Sequence, residues 1–107
     1  MTTPEPLAFP TDPAGWTAFA TERPTAAVAV VADVDARLVA GTDLDAAARL
    51  ELWNDAEIAL LAATNESCLL SEAHPDAAVR AIAEEQVQRL EALSASRLLD
   101  RDLFQAM

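Results

Sequence analysis

The chain has 107 residues, length for one small domain, and its 52% hydrophobic content excludes disorder through lack of apolar surface. Alanine supplies 25 of those residues and leucine 14, with two glycines and no tyrosine, a composition that reads as helical. The formal charge of −11 sets the chain against nucleic acid and anionic membrane surfaces, both of which repel it.

Residues 1–11 carry Pro4, Pro6 and Pro10, which fix φ and remove donors, so an extended N-terminal arm is expected there. Leu7 and Phe9 are the side chains that would dock it onto a helix. Thr11-Asp12-Pro13 is a helix start, a capping side chain followed by proline in the first turn. Trp16, Phe19 and Ala20 follow at helical spacing, which predicts a short helix over 12–22. Pro24 is expected to restart the chain, with a second helix over 25–40 and Gly41 as its C-terminal cap. The β-branched run Ala27-Val28-Ala29-Val30-Val31 favours a strand locally, but sixteen residues without a turn between helical patterns favour a helix.

Thr42 or Asp43 is expected to cap a third helix running from Leu44 to Ala73, about 45 Å at 1.5 Å per residue. A globule of this size has a radius of gyration of about 13 Å, so this helix must span the domain or project from it. His74-Pro75 ends it, because the residue before a proline is pushed from helical dihedrals. Asp76 then caps a fourth helix over 76–96, and a short helix near 100–105 closes the chain. On the fourth helix Val79, Ile82, Ala83, Val87, Leu90 and Leu93 share an arc of about 140°, one buried face. On the third, Leu44, Leu50, Leu52, Trp53, Ile58, Leu60, Leu61, Leu69 and Leu70 point nearly all round the axis. That is more apolar surface than a short bundle covers by itself. The expected fold is all-α, an antiparallel bundle or hairpin of about four to five helices in one domain over 12–107, preceded by the arm.

Catalytic chemistry is hard to assemble from these residues. A catalytic zinc takes about three protein ligands, and the chain offers one histidine, His74, and one cysteine, Cys68. His74 reads as a turn residue or a helix C-terminal charge, and Cys68, in an apolar run, as a buried inert thiol. Acidic neighbours such as Asp33 and Asp35, or Glu84 and Glu85, diverge on a helix and read as solvated faces. The two isolated glycines build no phosphate-binding loop. The longest uncharged runs, 13–21 and 24–32, are nine residues each, against about 20 for a membrane span. The N-terminus has Glu5 and no basic region before an apolar one, so no signal peptide is visible, and one unpaired cysteine suits a reducing compartment, so a cytoplasmic location is expected.

Leu52-Trp53-Asn54, Asn65, His74-Pro75-Asp76 with Val79-Arg80, Glu84-Glu85, Leu90 and Leu99-Asp100-Arg101-Asp102-Leu103-Phe104 follow one another in order. This series resembles the N-terminal helical region of the thimet oligopeptidase/neurolysin family of zinc metallopeptidases. It covers residues 45–107; Phe104 stands where that family commonly has tyrosine. Members are large helical enzymes that cleave short peptides in a channel, with a His-Glu-x-x-His zinc motif that this chain lacks. The resemblance therefore implies a small non-catalytic subunit, holding no cofactor itself, that docks as a heterodimer onto a larger catalytic chain carrying the zinc and acting on peptides. The chain read from Met1 to Met107 is taken either as such a subunit or as an orphaned remnant. Two other readings compete: an acidic helical adaptor or inhibitor of an unrelated protein, and a self-associating bundle. The expected partner interface is the third helix at Trp53, Ile58, Leu60 and Leu61, with Trp53 as anchor. The competing placement has Trp53 facing a neighbouring helix inside the domain.

Overall fold

The computed structural model describes residues 9–41 and 43–107. Four helices follow in order: α1 (Pro13–Ala40), α2 (Ala46–Ala73), α3 (Ala77–Leu98) and α4 (Arg101–Ala106). The described residues contain no strand, and the architecture is the expected all-α bundle. Short connections at 41–45 and 74–76 force α1, α2 and α3 into an antiparallel, mutually packed set, and α4 folds back onto α1. The principal extents of 47 × 31 × 16 Å and the radius of gyration of 15.6 Å describe a flat, elongated bundle. Its long dimension is set by α1 and α2, 28 residues each, about 42 Å at 1.5 Å per residue. The third predicted helix does span the domain.

Each helix starts where an aspartate can satisfy free backbone donors. Asp12 accepts from the Gly15 N–H at 2.6 Å, with Pro13 in the first turn. Asp45 accepts from Ala48 at 2.8 Å, Asp76 from Ala78 at 2.8 Å, and Asp100 from Leu103 at 3.0 Å. The cap of α2 is thus Asp45 rather than Asp43, and Thr42 lies outside the described residues. Asp76 also accepts from the Val79 N–H, so Asp76→Ala leaves two donors of α3 without their cap and should lower stability by about 1 kcal/mol, read as a small fall in the denaturant midpoint at unchanged slope.

The largest departure from expectation is at Pro24, where the chain does not restart. Residues 13–40 form one helix with Pro24 inside it. A proline in a helix interior removes one hydrogen bond and typically costs about 3 kcal/mol. Here its ring is among the most buried side chains, so apolar burial offsets part of that cost. The β-branched run beyond it is helical too, with Ala27 and Val31 turned into the core. The five predicted helices are therefore four. Gly41 does follow α1, but at φ −69 and ψ 63, a negative φ open to any residue and not the left-handed turn that favours glycine. A side chain there would be crowded: an added Cβ would lie 2.6 Å from Leu44 Cδ1, which would have to turn aside, and 3.0 Å from the Arg37 carbonyl oxygen. Most of the expected arm, residues 1–8, lies outside the described residues. Phe9 at its end rests on Trp16 and Phe19, with ring centroids 6.0 and 6.1 Å apart.

The core runs along the axis where the three long helices meet. It joins Val31, Val34 and Leu38 of α1, Ala56, Leu60 and Ala63 of α2, Leu90 of α3 and Leu103 of α4. On α3 the expected inward face is observed: Val79, Ala83 and Leu90 are buried, and Ile82, Val87 and Leu93 are half-buried.

Candidate protein-binding face

The side of α2 that faces water is determined by what its other side is fastened to. Ala56, Leu60, Ala63 and Ser67 are buried against the bundle. The small side chains of Ala56, Ala63 and Ser67 let α1 and α3 approach closely on both flanks. Polar ties then fix the rotation of the helix about its axis. Arg97 of α3 is only 4% exposed. Its Nε and Nη2 form a fork on the Asp35 carboxylate of α1, both at 2.9 Å, and its Nη1 donates to Glu57 of α2. The guanidinium carbon also sits 4.2 Å from the centre of the Trp53 ring. One side chain thus engages three helices. Burial alone would depress the ionisation of Arg97; the hydrogen bond and charge of Asp35, joined by Glu57, outweigh it and raise its pKa above the usual arginine value. Farther along, Arg23 of α1 grips Glu66 of α2 through two bonds at 3.0 and 2.6 Å.

The expected interface residues therefore divide. Leu60 is buried at 4% exposure and belongs to the core, not to an outer surface. Trp53 is half-buried, packed on the same core beneath Arg97, and so takes the competing placement. Ile58 and Leu61 do face outward, at 59% and 62% exposure, and the structure adds Leu50 and Leu69 to them, at 63% and 67%. The four lie within an arc of about 100° on the helical wheel, opposite the buried face. A shallow groove lined by Ala47, Leu50, Glu51 and Asn54 runs along the same side.

The remaining candidates occupy structural positions. His74 caps the C-terminus of α2, its ring edge-on to Trp16 with centroids 4.8 Å apart, and its Nδ1 accepts from the Asp76 N–H at 3.1 Å. Arg80 holds the same turn by donating to the carbonyls of His74 and Pro75 at 2.7 and 2.9 Å. Arg49 similarly donates to the Ala106 carbonyl at 2.7 Å, fastening α4 to the start of α2. Cys68 is a free, half-buried thiol. Among the described residues no three His, Cys, Asp or Glu side chains gather as a metal-binding group. Nor, among them, is any helix long and apolar enough to cross a membrane.

Arg97 is the important side chain that reading by hydrophobicity misses. It stands eighteen residues after Val79, five full helical turns, and so on the same face as the buried valine. An arginine in register with an apolar stripe is the available signal; its partners, Asp35 and Glu57, are 62 and 40 positions away.

The chain matches no protein-family model, no curated protein and no solved structure. The oligopeptidase resemblance accordingly stands on its ordered residues alone.

Proposed function

We propose that this chain is a non-catalytic helical docking module that binds protein through the outer face of α2. The observation that carries the reading is the set of four large apolar side chains, Leu50, Ile58, Leu61 and Leu69, held in water on one side of a helix whose other side is locked in the core. Isolated exposed leucines are ordinary, but an aligned set on one rigid helix marks an interaction surface. Ile58→Asp and Leu61→Asp are the tests. Both positions are open to solvent, so each variant should keep the helicity of the chain and the thermal midpoint that it shows when dilute enough to be monomeric. Each should abolish its associations, measured by co-purification and by mass in solution. Association that survives both substitutions refutes the reading.

A finer version makes the partner the zinc-carrying catalytic chain of an oligopeptidase. Its support is the order of elements over residues 45–107. A long helix ends at His74-Pro75, a helix with Arg80 and Glu84-Glu85 follows, and a short helix with Asp102 and Phe104 comes last. Co-expression with a chain bearing His-Glu-x-x-His should then yield a complex whose peptidase activity requires both chains. A catalytic chain fully active by itself and not retained by this one overturns the finer version.

A further inference from the structure

The outer face of α2 has an internal symmetry that says what covers it. Leu50, Asn54 and Ile58 are followed eleven residues later by Leu61, Asn65 and Leu69. An 11-residue period is 3.67 residues per turn, close to the natural helix, so this stripe runs nearly parallel to the axis instead of winding around it. The same six positions are also mirror-ordered about the point between Ala59 and Leu60. That point is the midpoint of α2, which runs from Ala46 to Ala73.

We infer that the occupant of this face is a second copy of the chain, docked with its α2 antiparallel to the first across a two-fold axis at that midpoint. The inference rests on the docking-module reading and names its partner. A two-fold interface must be self-complementary, each residue meeting the residue that meets it. In this register Leu50 is level with Leu69 of the second copy, Ile58 with Leu61, and Asn54 with Asn65. The two asparagines on each copy would otherwise sit in an apolar seam without partners. Paired, each amide offers a donor and an acceptor to the other, the device by which a buried asparagine fixes register in helix pairs. A slip of one turn would place them against leucine or isoleucine.

Charge selects the direction. In a parallel pairing in register, Glu51, Asp55 and Glu72 would each stand level with their own copies, acid against acid in a protein of net charge −11. In the antiparallel register Glu51 is level with Cys68, Asp55 with Thr64 and Glu72 with Ala47, neutral residues in every case. Full-length overlap follows from the coincidence of the two midpoints, giving a contact about 42 Å long at 1.5 Å per residue.

Sedimentation of the purified chain over the micromolar range reads the stoichiometry, and spin-label distances read the direction. For the second measurement one label is placed by Glu51→Cys in a Cys68→Ser background. The expected result is a concentration-dependent dimer in which the two labels are displaced along the axis by about 26 Å, seventeen residues of rise. A parallel pair would show no axial displacement and overturns the arrangement. Ile58→Asp and Leu61→Asp should each give a monomer of unchanged helicity. A wild-type chain that stays monomeric throughout overturns the second copy as occupant; if the same two variants still lose a different bound protein, the docking-module reading survives that failure. A dimer that tolerates both variants overturns the dimer interface and the docking face together.

Discussion

Arg97→Ala is expected to lower the stability of the chain by about 3 kcal/mol, a fall in thermal midpoint of roughly 10 °C or more for a domain of this size. The side chain is almost wholly enclosed, while its two acidic partners are not: the Asp35 and Glu57 side chains keep 23% and 45% of their exposure. Deleting one member of a buried ion pair costs about 3–5 kcal/mol when the other charge is stranded. Here both carboxylates reach water, so the loss falls at the lower end and comes as much from the space vacated against the Trp53 ring as from charge. Arg97→Lys should recover only part of it, because an ammonium cannot make the two-pronged contact with Asp35 or lie flat against the indole. The raised pKa fixes the sign of the pH dependence. A group whose pKa is higher in the folded state contributes fully below its unfolded value and loses that contribution as pH rises through its folded value. That crossing lies above the ordinary arginine range, so the difference between wild type and variant in urea unfolding should be flat from neutral to mildly alkaline pH. An Arg97→Ala protein with an unchanged midpoint would mean that the three-helix junction is held by packing alone.

Leu60→Ala and Leu61→Ala should differ sharply although the two residues are neighbours in sequence. Leu60 is enclosed by the core, and emptying such a site costs about 2–5 kcal/mol in lost burial and cavity formation. Leu61 is turned about 100° around the axis of α2 from Leu60 and projects into water, where truncation should change monomer stability by less than about 0.5 kcal/mol. Leu61→Ala should instead weaken association. Urea unfolding of each variant, done dilute enough to keep the chain monomeric, separates the two effects. Equal losses would mean that α2 is rotated relative to the arrangement described above.

The sequence by itself determined the helical class, the ends of most helices and the inward face of α3. These depend on local chemistry: aspartates that cap, His74-Pro75 that interrupts, and an apolar period that repeats within a single element. It also showed that α2 is apolar on more sides than a helix packed on one face requires. Which of those sides faces water was decided only by tertiary structure. Leu60 and Leu61 have the same side chain, and what distinguishes them is the rotation of α2. Arg97, Asp35, Glu57 and the Arg23–Glu66 pair set that rotation across long stretches of chain. The continuity of α1 through Pro24 has the same origin. Local rules place a break there, and the helix continues because the ring is taken up in the bundle interior, where burial offsets part of the cost of a missing hydrogen bond. Spacing within a helix can be read along the chain, whereas the choice between two apolar sides depends on which neighbours pack against it.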